Sequence, residues 1–322
     1  MQALRFENGD LRLRDVPAPN AETSKEAIVR VLKSGICNTD LEIARGYAEF
    51  QGTIGHEFVG IAECAADAPH LIGKRVVGEV NVGCGECDFC KSDDSRHCPR
   101  RTVLGIKERD GAHAEFLTLP VRNLFEVPDR ISNDEAVFVE PLAAAFGINE
   151  QVEIFPETRV AIVGDGKLGN LCAQSLALKS ENVFLIGKHA EKLALLSQSN
   201  VETILLENAE KLSKTFDVAV EASGAASGFA TALDLLKPRG KLVLKSTFQG
   251  TTNLEMWRVV VDEISIVGSR CGRFAPAIDL LANKKVAVEN LIDEEFPLRD
   301  AVRAMRRAEA RGVMKVLLTN MN

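Results

Sequence analysis

The chain reads as an α/β protein in two parts, a mostly antiparallel β domain followed by a doubly wound parallel sheet. Three observations carry this reading. Short apolar runs punctuated by Gly and Pro fill the first part. Continuous apolar runs alternating with helical stretches fill the second, and a Gly-x-Gly-x-x-Gly turn stands near its start. With 322 residues there is room for two domains of ordinary size, about 100–200 residues each.

In the first part the strand signals are residues 27–32, 58–62 and 75–80, separated by turn residues such as Pro17, Pro19, Gly73, Gly105 and Gly111. After about Leu142 six apolar segments follow, at 160–163, 183–186, 203–206, 216–220, 242–244 and 264–267. Helical patterns at 168–178, 190–197, 228–236 and 276–281 lie between them. Apolar strands without polar alternation are buried on both faces, so this sheet is predicted to be parallel, with helices on each side. The tail has an amphipathic helix at 298–308 and a last strand at 313–318, predicted to return to the first domain.

The balance of 39 basic and 46 acidic residues leaves a net charge of -7, which repels phosphate backbones and argues against nucleic-acid binding. One Trp and one Tyr supply few platforms for stacking bases. No run reaches the ~18 apolar residues of a membrane span, and Met1-Gln2-Ala3-Leu4-Arg5-Phe6 lacks the layout of a signal peptide. A cytoplasmic location is therefore expected.

Four of the eight cysteines crowd into Gly83-Cys84-Gly85-Glu86-Cys87-Asp88-Phe89-Cys90 and Cys98. In a reducing compartment this pattern points to a metal rather than to disulfides. Four thiolates complete a tetrahedral zinc shell and leave no position open, so this ion would be structural. A second set is spread over three fragments: Gly35-Ile36-Cys37-Asn38-Thr39-Asp40, Gly55-His56-Glu57 and Glu140-Pro141-Leu142-Ala143. Cys, His and carboxylate in one site form the shell of a zinc that keeps a place for water or substrate.

Gly164-Asp165-Gly166-Lys167-Leu168-Gly169 follows an apolar strand and opens a helix, the setting in which this motif binds a dinucleotide pyrophosphate. NAD sites offer an acid to the ribose at the end of the next strand. Here Gly187-Lys188-His189 stands instead, a small residue followed by basic ones, which favours NADP(H) over NAD(H).

Taken together, and in this order around the cysteine lobe, the fragments resemble the zinc-containing medium-chain dehydrogenase/reductase family over nearly the whole chain. The resemblance implies a GroES-like catalytic domain at 1–141 with its zinc lobe at 83–99, a Rossmann domain at 142–283, and a return to the catalytic domain at 284–322. It implies one structural zinc on Cys84, Cys87, Cys90 and Cys98, and one catalytic zinc on Cys37 and His56. Glu57 aligns with an acid that either binds the ion or exchanges with water. Many alcohol dehydrogenases of the family carry a second Cys where Glu140 stands. Polyol, threonine and sugar dehydrogenases carry Glu-Pro-Leu-Ala, as here. Glu57, Glu140 or water would complete the shell.

Zinc would lower the pKa of the substrate hydroxyl, and the carbon would pass hydride to the nicotinamide. Thr39 aligns with the hydroxyl that relays the proton. Glu42 stands where a His often continues that relay; it either exports the proton, bonds a sugar hydroxyl or faces solvent. Ser223, Ser269 and Arg270 fall at coenzyme contact points. Lys245 is unusual at its strand end and either meets a hydroxyl-rich or anionic substrate or points to solvent. Tyr47, Phe50 and Trp257 are candidate pocket walls or core residues.

The expected function is hydride transfer between a nicotinamide coenzyme and a small alcohol or carbonyl compound, with a polyol, sugar or secondary alcohol as substrate. An NADPH-dependent aldehyde reductase and a non-catalytic zinc and nucleotide redox sensor are the alternatives. The resemblance further implies a homodimer or homotetramer, joined near residues 264–267.

Overall fold

The apolar runs of the second half need cover on both faces, and a single parallel sheet supplies it. The computed structural model describes residues 1–46, 49–247 and 251–320. In it six parallel strands lie in the order Val201–Leu205, Asn182–Gly187, Arg159–Val163, Phe216–Glu221, Leu236–Leu244 and Ser265–Gly268. The chain starts in the middle, winds outward to one edge, then returns and winds to the other. The order reverses between Arg159–Val163 and Phe216–Glu221, and ligands of such sheets sit beyond the carboxyl ends of the strands at that reversal. Ala161, Val163, Phe184, Ile186, Phe216, Ala219 and Leu242 pack from the sheet into one core with Phe229, Ala232 and Leu233 of the helix Ala226–Leu235.

The first half forms a sheet around the long strand Glu26–Gly35. It pairs antiparallel with Glu57–Ala65, with Phe116–Pro120 and with the late strand Lys315–Thr319. Ile292–Pro297 lies beyond that last strand, parallel to it. The tail thus inserts beside the earliest long strand: Leu317 pairs with Gly35 and Thr319 with Lys33. The tail helix Ala301–Glu309 buries Ala301, Ala304 and Met305, a three-to-four-residue spacing, in a core shared with Leu4, Phe6, Ile36, Phe50 and Leu318.

By contacts the chain divides into two units, Met1–Glu140 with Ala277–Asn322, and Pro141–Pro276. Among the described residues no helix is long and apolar enough to cross a membrane.

Candidate functional site

Cys37 caps the helix Asn38–Ala44, and its N–H donates to Asp40 Oδ2 at 2.7 Å, as an acid three residues into a helix reaches back to the cap. The other oxygen of Asp40 accepts from the N–H of Gly55 at 3.1 Å. One fully buried carboxylate therefore ties the loop carrying Cys37 to the loop carrying His56. Gly55 has φ +97°, and a Cβ there would fall 2.5 Å from the His113 ring, so only glycine fits.

Asp40 also faces two imidazoles, His56 Nδ1 at 3.4 Å and His113 Nε2 at 3.5 Å. Burial works against its charge. The two histidines outweigh burial and hold its carboxyl far below the usual carboxylate range. Ser34 Oγ meets the other ring nitrogen of His113 at 2.9 Å. A carboxylate behind an imidazole fixes the ring's orientation for a ligand on its far side. Neither Asp40 nor His113 was assigned a role from the sequence. The signal for Asp40 was the capping spacing; His113 had none.

Cys37, His56 and Glu57 each bring a donor atom within 4.8 Å of the others. His56 and Glu57 are buried, and Glu57 Oε1 has no hydrogen-bond partner. An unpaired buried carboxylate oxygen is costly and calls for a cation. The other oxygen of Glu57 accepts from Lys315 Nζ on the returning tail strand. A Cβ at Gly35 would lie 2.6 Å from that oxygen, so Gly35 makes room for the pair. A thiolate, an imidazole and a carboxylate so placed fit a zinc ion with an open position.

Thr39 Oγ1 lies 3.8 Å from Cys37 Sγ, beside this cluster. Glu140 lies in the first turn of the helix Val139–Phe146 and falls outside the group of converging donor atoms. Glu42 pairs with Arg45 at 2.6 Å, and Arg45 also pairs with Glu309.

In the cysteine lobe, Cys84, Cys87, Cys90 and Cys98 bring their sulfurs within 4.8 Å of one another. Cys87 and Cys90 are 3.5 Å apart and Cys84 and Cys90 4.0 Å. A tetrahedron with Zn–S of ~2.3 Å has sulfurs ~3.8 Å apart, so the donor set fits zinc. Backbone N–H groups of Glu86 and Cys87 aimed at its sulfur bring the Cys84 thiol down to about 6. A Cβ on Gly83 would lie 2.6 Å from Cys90 Sγ, so a glycine lets the chain close around the four thiols.

Each glycine of the fingerprint has its own cause. Gly164 turns with φ +124°, and a Cβ there would lie 2.6 Å from the Ala222 carbonyl. A Cβ on Gly169 would fall 1.8 Å from the Gly164 carbonyl oxygen, so the helix packs directly on the turn. Gly166, the cap of the helix Lys167–Leu176, has nothing within 4 Å of its missing side chain. That open backbone at a helix N-terminus fits a dinucleotide pyrophosphate. Lys167 and Leu168 form the first turn of that helix.

The space at Gly187 is already filled. A Cβ there would lie 2.4 Å from Asp165 Cβ, so the missing side chain of Gly187 makes room for Asp165. His189 is engaged by the same carboxylate through its N–H at 2.7 Å and its ring at 3.0 Å. Lys188 is exposed. Ser223 is held by Glu221, its Oγ donating at 2.6 Å.

Lys245 does not point to solvent. It is buried, and its ammonium donates to Ser269 Oγ and to the Arg270 carbonyl, both at 3.1 Å, joining two adjacent strand ends. Phe50 belongs to the core. Trp257 is 61% exposed, on the helix Met256–Val261. Tyr47 lies outside the described residues.

Comparison with known proteins agrees with this architecture. An alcohol dehydrogenase GroES-like domain model matches residues 23–129, and a zinc-binding dehydrogenase model matches 168–283. The chain is 27% identical to the sorbitol dehydrogenase of Halalkalibacterium halodurans, over 97% of this chain and 96% of the relative. A protein described as a zinc-binding dehydrogenase from Sinorhizobium meliloti, solved with NADP, superposes with TM-score 0.90 at 27% identity, covering 99% of this chain and 98% of that one. An alcohol dehydrogenase from E. coli CFT073, solved with NADH, gives 0.88 at 26%, covering 99% of both chains. The chain belongs to the zinc-containing medium-chain dehydrogenase/reductase family and is a nicotinamide-dependent oxidoreductase of the alcohol/polyol dehydrogenase type.

Proposed function

We propose that the chain interconverts a polyol, sugar or secondary alcohol and its carbonyl form at a catalytic zinc held by Cys37 and His56, and that a second zinc on the four-cysteine lobe is structural. The convergence of donor atoms from Cys37, His56 and Glu57 within 4.8 Å of one another carries this reading. The sorbitol-oxidising name of a full-length relative supports a polyhydroxylated substrate.

Zinc supplies Lewis-acid polarisation of the alcohol or carbonyl oxygen. The chain's own residues do the rest. Asp40 orients His56 and anchors Cys37. Lys315 holds Glu57 by one oxygen and leaves the other without a hydrogen-bond partner. Thr39, beside Cys37, takes the proton of the substrate hydroxyl and passes it outward. Glu140 lies outside the converging donors, and Glu42 serves Arg45; both are secondary candidates, for the shell and for the relay.

The Gly-rich turn, with Lys167 and Leu168, receives the pyrophosphate of the coenzyme. Ser269 and Arg270, braced by Lys245, and Ser223 border the carboxyl ends of their strands. With His189 engaged by Asp165, the expected preference for NADP(H) rests on Lys188 alone.

A homodimer or homotetramer formed through the edge strand Ser265–Gly268 is supported by its single pairing partner among the described residues and by exposed apolar residues in the helix that precedes it in the chain, Met256, Trp257, Val260 and Val261. The absence of disulfides among the described cysteines suits a cytoplasmic location.

The test is elemental analysis of purified protein together with coenzyme-dependent absorbance change against a panel of polyols, sugars, secondary alcohols and aldehydes. Two zinc ions per chain and turnover of a polyol or sugar are expected. One zinc or none, with no turnover of any alcohol or carbonyl, overturns the proposal.

A further inference from the structure

We infer that Asp165, inside the Gly-rich turn, reads the adenosine ribose of the coenzyme and makes this enzyme select NAD(H); the inference rests on the proposed coenzyme site at that turn. In parallel sheets of this kind the acid that binds the ribose hydroxyls projects from the end of the second strand. Here that end is Gly187, and its sequence neighbours are basic.

The structure moves the acid to the adjacent strand end. Arg159–Val163 and Asn182–Gly187 are paired in parallel, with Val163 opposite Ile186. Asp165, two residues past the first strand, leans across the end of the second. A Cβ built on Gly187 would lie 2.4 Å from Asp165 Cβ and 2.5 Å from Oδ2. Residue 187 and residue 165 compete for one place, and the carboxylate of 165 has it. Gly187 has no positive φ, so its lack of a side chain answers a demand for space and not for backbone conformation.

The carboxylate is held in position. Asp165 is 8% exposed, its Oδ2 accepts the His189 N–H at 2.7 Å, and the His189 ring nitrogen lies 3.0 and 3.2 Å from its two oxygens. A carboxylate has about four lone-pair sites. Two donors from one histidine leave capacity for the vicinal hydroxyls of a ribose. The same engagement withdraws His189 from any phosphate.

Gly166, one residue on, leaves its backbone face open for the pyrophosphate, so the ribose attached to that group is directed toward Asp165. A 2′-phosphate there meets a fixed negative charge, and the basic residue next to Gly187, Lys188, is exposed.

The experiment is titration of the full-length, zinc-loaded protein with NADH and with NADPH, followed by nicotinamide fluorescence, for the unaltered chain, Asp165→Asn and Asp165→Ser. Asn keeps the size and an acceptor for His189 N–H and removes the charge; Ser also opens the space. The unaltered chain is expected to bind NADH about tenfold or more tighter than NADPH, and either variant to shrink that ratio by about tenfold or more, since a like-charge contact is a strong rejecting element. A folded variant that keeps the original ratio overturns the inference. So does tighter NADPH binding by the unaltered chain, a result that needs no variant. If the unaltered chain binds neither dinucleotide, it is the coenzyme reading itself that fails.

Discussion

Lys315 and Glu57, both inaccessible to solvent, form an ion pair between a strand near the end of the chain and the strand that follows His56. Lys315 Nζ also lies 3.4 Å from the Ile36 carbonyl and 5.5 Å from the centre of the Phe138 ring. The tail is therefore part of the site's support. Removing one partner of a buried pair leaves an uncompensated charge, at a cost of about 3–5 kcal/mol. Lys315→Met is expected to lose about that much stability in urea unfolding, and Lys315→Met with Glu57→Gln to lose clearly less than the sum of the single changes. Additive losses would show that the pair is not coupled.

The two zinc sites are expected to fail separately. Cys98→Ser should halve the bound zinc and lower thermal stability, because a closed four-thiolate shell contributes directly to folding. Cys37→Ser should also halve the zinc but keep the fold, with kcat/KM falling about a thousandfold or more, the worth of several kcal/mol of transition-state polarisation. Zinc content, circular dichroism melting and initial rates on the same preparations check both.

Proton transfer separates Thr39 from Glu42. Thr39→Ala is expected to lower kcat about a hundredfold or more with zinc content unchanged, the usual loss of a general acid–base group. Glu42→Gln breaks only a partly exposed pair with Arg45, and its kcat should stay within about threefold of the original. The reverse ranking of the two variants would assign the relay to Glu42.

Lys245 is expected to act through the strand ends it joins. Lys245→Met deletes hydrogen bonds from an ammonium to Ser269 and Arg270, each worth about 1.5–3 kcal/mol. A lower melting temperature and weaker binding of the reduced coenzyme are expected together, measured by calorimetry and fluorescence titration. Unchanged coenzyme affinity would leave Lys245 a purely structural residue.

The exposed face of Met256, Trp257, Val260 and Val261 gives a test of assembly. Trp257→Asp with Val260→Asp places two charges on an apolar surface and is expected to shift the light-scattering mass toward the 35.0 kDa of one chain. A single-chain mass for the unaltered protein would remove the proposal of a homo-oligomer.

Much of the molecule is written in local pattern. Residues 160–163 or 183–186 are apolar without alternation, and that alone says a strand covered on both faces. Cys84, Cys87 and Cys90 recur at three-residue intervals, so their meeting was legible from spacing. The glycines of the turn are likewise local, since each answers a contact or a torsion within one strand–turn–helix unit.

What the tertiary structure alone decided are relationships between residues far apart in the chain, whose partners no local pattern names. Asp40 lies 15 residues from Gly55, Lys315 lies 258 from Glu57, and Asp165 lies 24 from His189. Gly187 read by itself suggested room for a phosphate; folded, the place of its missing side chain is taken by Asp165 from the neighbouring strand end. The physical reason is common to all of these. Periodicity and spacing report what a residue does to its own segment, whereas the charge, space and donors around a buried group are set by whichever segments the fold packs against it.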